Sequence, residues 1–212
     1  MDEKELAIIG DDSNYWWFRA KDDLIEDIVI ERCGLGSKII NIGAGTTEYE
    51  YAYNYRGKIQ DYMTTKRYDC AILADVIEHI PPRDRKRALK SVHKLLKDKG
   101  KVIITVPAMQ CLFNAHDKFL GHYLRYDKKT LKKELKAAGF KPVSVNYWNS
   151  FLFVPIALRK LLNKEGKNSD LKKMPRWLNS LLYTILNLET PLILIGLSLP
   201  FGISVVGVFE KC

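Results

Sequence analysis

The chain has 212 residues, 47% of them hydrophobic and 28% charged, with a formal net charge of +9. That length suits one α/β domain with a sizeable core, and the composition excludes a disordered tail, a collagen-like repeat and a disulfide scaffold. The charge is uneven, −7 over residues 1–50 and +16 over residues 51–212, a bias that suits an anionic small molecule, an anionic membrane face, nucleic acid or simply a solvated lysine-rich surface.

The acidic start, MDEKEL, has no apolar run of the signal-peptide kind. The four cysteines (Cys33, Cys70, Cys111, Cys212) form no CxxC pair. Reduced thiols, a cytoplasmic location and no metal centre are therefore expected. Residues 15–32 read as a helix, with Leu24, Ile25, Ile28 and Val29 at helical spacing, ended by Gly34 and Gly36. Ser37–Ile42 is a short strand that runs into Gly43-Ala44-Gly45-Thr46. Tyr68–Ala74 is a second buried strand, and Arg83–Leu96 an amphipathic helix stopped by Asp98-Lys99-Gly100. Lys101–Val106 is a third strand, Lys128–Ala138 a further helix and Lys141–Tyr147 an alternating strand. A helical stretch over 175–190, an apolar stretch and a strand at Ile203–Phe209 complete the chain.

Strands alternating with such helices imply a Rossmann-like, mostly parallel α/β sheet with helices on both faces. Right-handed crossovers gather the strand C-termini on one edge, where ligands bind. Three loops should meet there: Gly43–Thr46, Asp75–His79 and Pro107–Arg125. The domain is expected to divide into a helical cap (1–36), the Rossmann-like core (37–150) and C-terminal helices with the last strand (151–212). Leu192–Leu199, the longest tail stretch without charge or proline, is too short to span about 30 Å of hydrocarbon. A core helix and buried last strand fit the tail better, with a helix lying on a membrane surface as the alternative.

Gly43-x-Gly45 after a strand lets the main chain approach a ligand closely. It lacks the Lys-Ser/Thr of a phosphate-cradling loop and the third glycine of a dinucleotide site. Asp75, Glu78 and His79 follow the second strand, a cluster that suits a polar ligand or proton transfer. His116, Asp117, His122 and Arg125 lie in the third loop.

Six pieces in order are similar to a class I S-adenosylmethionine-dependent methyltransferase of the small, type-11-like group: Tyr15–Ala20, IINIGAG, YDCAILADVIEHI with its lysine-rich helix, KVIITVPA, AHDKFLGHYLRYDKKTLKKELKAAGF and LPFGISVVGVFEK. The resemblance implies S-adenosylmethionine as cofactor and S-adenosylhomocysteine as product. It places the methionine part of the cofactor on Gly43, Ala44, Gly45 and Thr46, and the other flank on Ala74, Asp75 and Val76. Trp16, Trp17 and Arg19 would close the site, Arg19 pairing with the cofactor's carboxylate. Glu78 and His79 would face the reaction zone, and the loop with His116 and His122 would recognise the acceptor. His79, His116 and His122 are the catalytic candidates; no metal site is implied by the spacing of that loop.

One departure from the family stands out. Thr46–Arg67 spans only 22 residues, which a helix of about ten residues, a strand of about five and two turns would fill, so one βα unit is expected to be missing. Asp61 is then the acid for the ribose or adenine, with Met63 beside the ring. The implied function is methyl transfer to a small-molecule, lipid-linked or anionic acceptor, with peripheral contact to an anionic membrane. A binding or scaffold protein without activity, and an RNA methyltransferase, are the alternatives; the absence of an Asn/Asp-Pro-Pro-Tyr motif argues against nucleic acid.

Overall fold

The computed structural model describes residues 15–45, 47–62, 64–162 and 174–212, and the side chains of all these but Gln60 and Leu161. Thr46 and Met63, both expected at the cofactor, lie outside the described residues. Helix α1 (Trp16–Cys33) leads into β1 (Ile39–Ile42) and β2 (Ala52–Tyr55). Then come β3 (Tyr68–Ala74), α2 (Pro82–Leu95), β4 (Leu96–Pro107), α3 (Ala115–Phe119), α4 (Lys128–Ala137) and β5 (Phe140–Trp148). Helices α5 (Phe153–Leu162), α6 (Arg176–Asn187) and α7 (Thr190–Leu194) precede β6 (Ser204–Lys211).

The six strands form one sheet in the order β2-β1-β3-β4-β6-β5. The first four are parallel, and β6 runs antiparallel between β4 and β5. The order reverses between β1 and β3, because the chain leaves β1 for one side and returns on the other. That switch opens a crevice beyond the strand ends. β1 is buried along its whole length, as a strand covered on both faces must be. α1 buries Ala20, Leu24, Ile25, Ile28 and Val29 over β3 and β4 and packs against α6.

Two elements differ from expectation. α2 ends at Leu95, one residue early, because Leu96 already pairs with Tyr68. The next pair is Cys70 with Lys101, so Asp98-Lys99-Gly100 bulges out of β4 with Lys99 at φ 60°. The second difference lies between β1 and β3. No ten-residue helix occurs among the described residues there; β2 and a one-turn 3-10 helix (Ile59–Asp61) take its place. Parallel strands normally need a crossover of a dozen or more residues, usually helical, yet residues 43–51 join β1 to β2.

Side-chain amides stand in for the absent helix. Asn41 of β1 donates to Asn54 Oδ1 at 3.0 Å and to the Thr47 carbonyl at 3.1 Å. Asn54 in turn receives the Tyr49 amide at 3.1 Å and donates to the Tyr49 and Ala52 carbonyls. The Tyr49 hydroxyl donates to Asp22 on α1 at 2.9 Å. These bonds satisfy buried polar groups that a tight loop would otherwise strand. No helix among the described residues is long and apolar enough to cross a membrane.

Candidate active site

At the carboxyl ends of β1 and β3 the structure holds a cavity of about 400 Å³, within the usual range for small-molecule sites. Its floor is the main chain at Gly43–Ala44 and Ala74–Asp75, and α1 closes one wall with Trp16, Trp17 and Lys21. His116, Asp117, His122 and Arg125 form the far side, and α5 and α6 cover it with Ile156 and Leu182 among others. All three expected loops therefore contribute residues to it.

The two floor loops touch at a glycine. Gly43 has φ 72°, and a Cβ there would lie 2.9 Å from Val76 Cγ2, so a side chain would wedge the loops apart as well as strain the backbone. Val76 thus packs beneath Gly43 and does not line the cavity. The Gly43 and Ala44 amides both donate to the Tyr55 carbonyl, at 2.8 and 3.2 Å. What the loop offers a ligand is close approach to bare main chain, with those two donors already engaged. Gly45 stands just outside the lining.

Asp75 adopts a left-handed backbone, φ 53°, which costs about 1 kcal/mol or more in a non-glycine residue. Its surroundings hold it there. The Asp75 amide donates to Thr105 O and Oγ1 at 3.0 and 3.2 Å, and the Thr105 hydroxyl returns a bond to Oδ1 at 3.1 Å. Lys21 Nζ reaches Oδ2 at 2.8 Å. Burial works against both charges, but the partners win: the Lys21 ammonium is pushed up and the Asp75 carboxyl held down. Sequence reading missed Lys21 in the site. The available signal was a lysine on the same helical stripe as Leu24, Ile25 and Ile28.

Glu78 follows on a one-turn 3-10 helix (Ile77–His79). It is completely buried, and neither carboxylate oxygen has a hydrogen-bond partner. Burial, reinforced by the Asp75 charge, pushes its carboxyl well above the ordinary range. The His79 ring lines the cavity beside it. Desolvation and the neighbouring His122 lower it to about 4, which keeps it neutral at physiological pH.

The segment between β4 and α4 is knotted at Asp117, which has no exposed surface. Oδ1 meets Arg125 Nη2 at 2.8 Å and His122 Nδ1 at 3.0 Å. Oδ2 accepts from Arg125 Nε and from the Asn114 amide, both at 3.0 Å. Asn114 caps α3 in return, completing a reciprocal cap. Arg125 also donates to the Ala108 carbonyl at 3.1 Å. Burial alone would raise the Asp117 carboxyl; His122 and Arg125 outweigh it and hold it below the usual carboxylate range.

Two cofactor candidates lie elsewhere. Arg19 stacks over the Tyr183 ring of α6, 4.0 Å from its centroid, and does not line the cavity. A cofactor carboxylate is therefore not within its station. Asp61 is exposed on the 3-10 turn after β2 and is likewise absent from the lining. Among the described lining residues the carboxylates are Asp75, Glu78 and Asp117. Trp17 does line the cavity and packs 5.0 Å from Trp148. His116 lines it too.

A family model described as a methyltransferase domain matches residues 12–145, more than half of the chain. The chain belongs to the methyltransferase-domain family. That match supports the methyltransferase identity that the ordered motifs implied. Among solved structures, the chain resembles the 1,6-didemethyltoxoflavin-N1-methyltransferase of Burkholderia thailandensis, solved with its substrate and S-adenosylhomocysteine, at 15% identity and a TM-score of 0.54, covering 94% of this chain and 84% of that one. It also resembles a SAM-dependent methyltransferase of Archaeoglobus fulgidus at 11% identity and 0.54, covering 94% and 97%. The [4+2]-cyclase SpnF matches at 14% and 0.53, covering 89% and 80%. These likenesses concern the fold, and the cyclase among them illustrates that the fold alone does not set the chemistry. No curated protein sequence matches the chain.

Proposed function

We propose that this methyltransferase-domain protein transfers a methyl group from S-adenosylmethionine to a small-molecule acceptor within the 400 Å³ cavity. The observation that carries the reading is that the cavity reaches bare main chain at Gly43–Ala44 and Ala74–Asp75, at the switch point between β1 and β3. A sulfonium supplies an already activated methyl, so the protein need only bind, align and exclude water. Gly43, Ala44, Ala74 and Asp75 would hold the donor. Asp75 presents a carboxylate to its positive charge, and the Lys21–Asp75 pair fixes the loop. Trp16, Trp17 and α5–α6 shut out water. His116 and His122 face the acceptor, and neutral His79 can take a proton from it. Calorimetry with S-adenosylhomocysteine should give one site per chain. No heat at millimolar ligand, with folded protein, overturns the reading.

A lipid-linked or anionic acceptor fits the covering helices. On α5, Val154, Leu158 and Leu162 recur every four residues, all more than half exposed. On α6, Trp177 and Leu181 are exposed with the same spacing. Arg176, the first residue of α6, is exposed, whereas Arg159 of α5 lines the cavity. An exposed apolar stripe on a basic chain suits an anionic membrane face, and the inner sides of both helices line the cavity. Co-sedimentation should favour anionic over neutral vesicles and weaken with salt; equal binding to both removes the electrostatic part, and no binding removes the surface.

A second reading, a binding protein without transfer activity, draws support from the Gly43 and Ala44 amides spent on Tyr55 and from a β1–β2 connection with no helix among its described residues. Donor binding without turnover of any acceptor would favour it.

A further inference from the structure

Three side chains in the cavity stand closer together than donor binding and alignment require. Glu78, His79 and His122 each offer a ligand atom, and these atoms lie within 4.8 Å of one another. They come from separate parts of the chain: the turn after β3 and the loop after α3. Two ligands bound to a common ion at about 2.1 Å lie about 3–4 Å apart, so small side-chain rotations close the cluster.

Two of its members have surroundings that favour an ion. Glu78 is fully buried, yet both its carboxylate oxygens lack a partner. Buried carboxylates are ordinarily satisfied by protein, water or an ion. His122 gives Nδ1 to Asp117 at 3.0 Å, which leaves Nε2 as its ligand atom. A histidine oriented by a carboxylate behind it is the usual arrangement around a metal. Asp117 is itself anchored by Arg125, so it is a rigid support. The His79 ring stands 4.6 Å from the His122 ring, nearly perpendicular at 78°. The Glu78 carbonyl also accepts the Tyr123 amide at 2.9 Å, a bond that locks the turn to the loop and so fixes the three ligands relative to one another. Lys21, the nearby cation, is occupied by Asp75.

We propose that Glu78, His79 and His122 bind one divalent cation of the zinc, manganese or iron(II) type, with its open coordination positions facing the cavity. Two imidazoles and one carboxylate suit those ions better than magnesium or calcium, which prefer all-oxygen sets. All three residues line the cavity, so the ion would take an oxygen of the acceptor and orient it, and with the ion bound His79 would serve as a ligand in place of a base. That step rests on the methyl-transfer reading; the cation site itself does not.

The test uses the full chain, stripped of metal with a chelator and then titrated with Co²⁺, whose visible absorption reports nitrogen and oxygen ligation. One equivalent should bind, and Zn²⁺ should displace it. His79→Ala and His122→Ala should each weaken binding at least tenfold. Glu78→Gln keeps the side chain's shape and should do the same, so the test survives if a histidine variant fails to fold. No Co²⁺ band in the wild-type protein, or equal affinity in all three variants, overturns the proposal. S-adenosylhomocysteine calorimetry on the same samples separates the two ideas. Donor binding without cobalt sinks the cation site alone, and cobalt binding without donor heat sinks the methyl-transfer reading alone.

Discussion

Asp117→Ala should lower the unfolding free energy by about 3–5 kcal/mol, the scale for removing one partner of a buried ion pair. Arg125 would be left buried without its counter-charge, since it is only 4% exposed and lies 2.8 Å from Oδ1. The Asn114 amide and His122 would lose their acceptor at the same time. For a domain of this size the melting temperature should fall by roughly 6–20 °C. The pH dependence provides a second check. The Asp117 carboxyl is held below its ordinary value, which is about 3.9 in an unfolded chain. A depressed acid stabilises fully above the unfolded value, and that contribution is lost as pH falls from there through the folded value. The gap between wild type and variant in urea unfolding should therefore be widest near neutrality and shrink below about pH 4. A gap that stays constant down to pH 2 would show that Asp117 acts through packing, without its charge.

The second large effect should come from Lys21→Ala. Lys21 bridges α1 to Asp75 on the cavity floor at 2.8 Å, and its side chain is 7% exposed. Its removal leaves the Asp75 charge next to buried Glu78 with no cation to balance it. A loss of about 3–5 kcal/mol is expected. Adding Asp75→Asn should recover much of it, because the neutral amide needs no counter-charge. If the double variant is as unstable as the single one, the lysine's contribution is the packing of its methylene stem. The cavity should respond as well. The pair holds Asp75 in its left-handed backbone, so Lys21→Ala should weaken S-adenosylhomocysteine binding even where the protein remains folded.

How much of this was readable from the sequence depended on how local the signal was. α1, β3, α4 and β6 follow from apolar spacing, and each appears within about two residues of its expected bounds. The meeting of the Gly43 loop with the Asp75 turn follows from strand order alone, because parallel crossovers leave their carboxyl ends on one edge. The region between β1 and β3 was not legible. A helix was the ordinary solution for a parallel connection, and nothing local announced that Asn41 and Asn54 would bond the loop in its place. The sequence neighbours of Arg19 point it to the cofactor; the helix turns it toward Tyr183 instead. Lys21, two positions on, faces the site. The convergence of Glu78 with His122 depends on a fold of the loop after α3 that only the Asp117 knot specifies.

The proposed donor site is the floor formed by Gly43–Ala44 and Ala74–Asp75, at the reversal of strand order. A crystal structure of the protein grown with S-adenosylhomocysteine tests it most directly. Nucleoside density is expected in that cavity, under Trp17 and beside Asp75. Density at another surface, or a cavity filled by the protein's own side chains while the ligand is bound elsewhere, would contradict it.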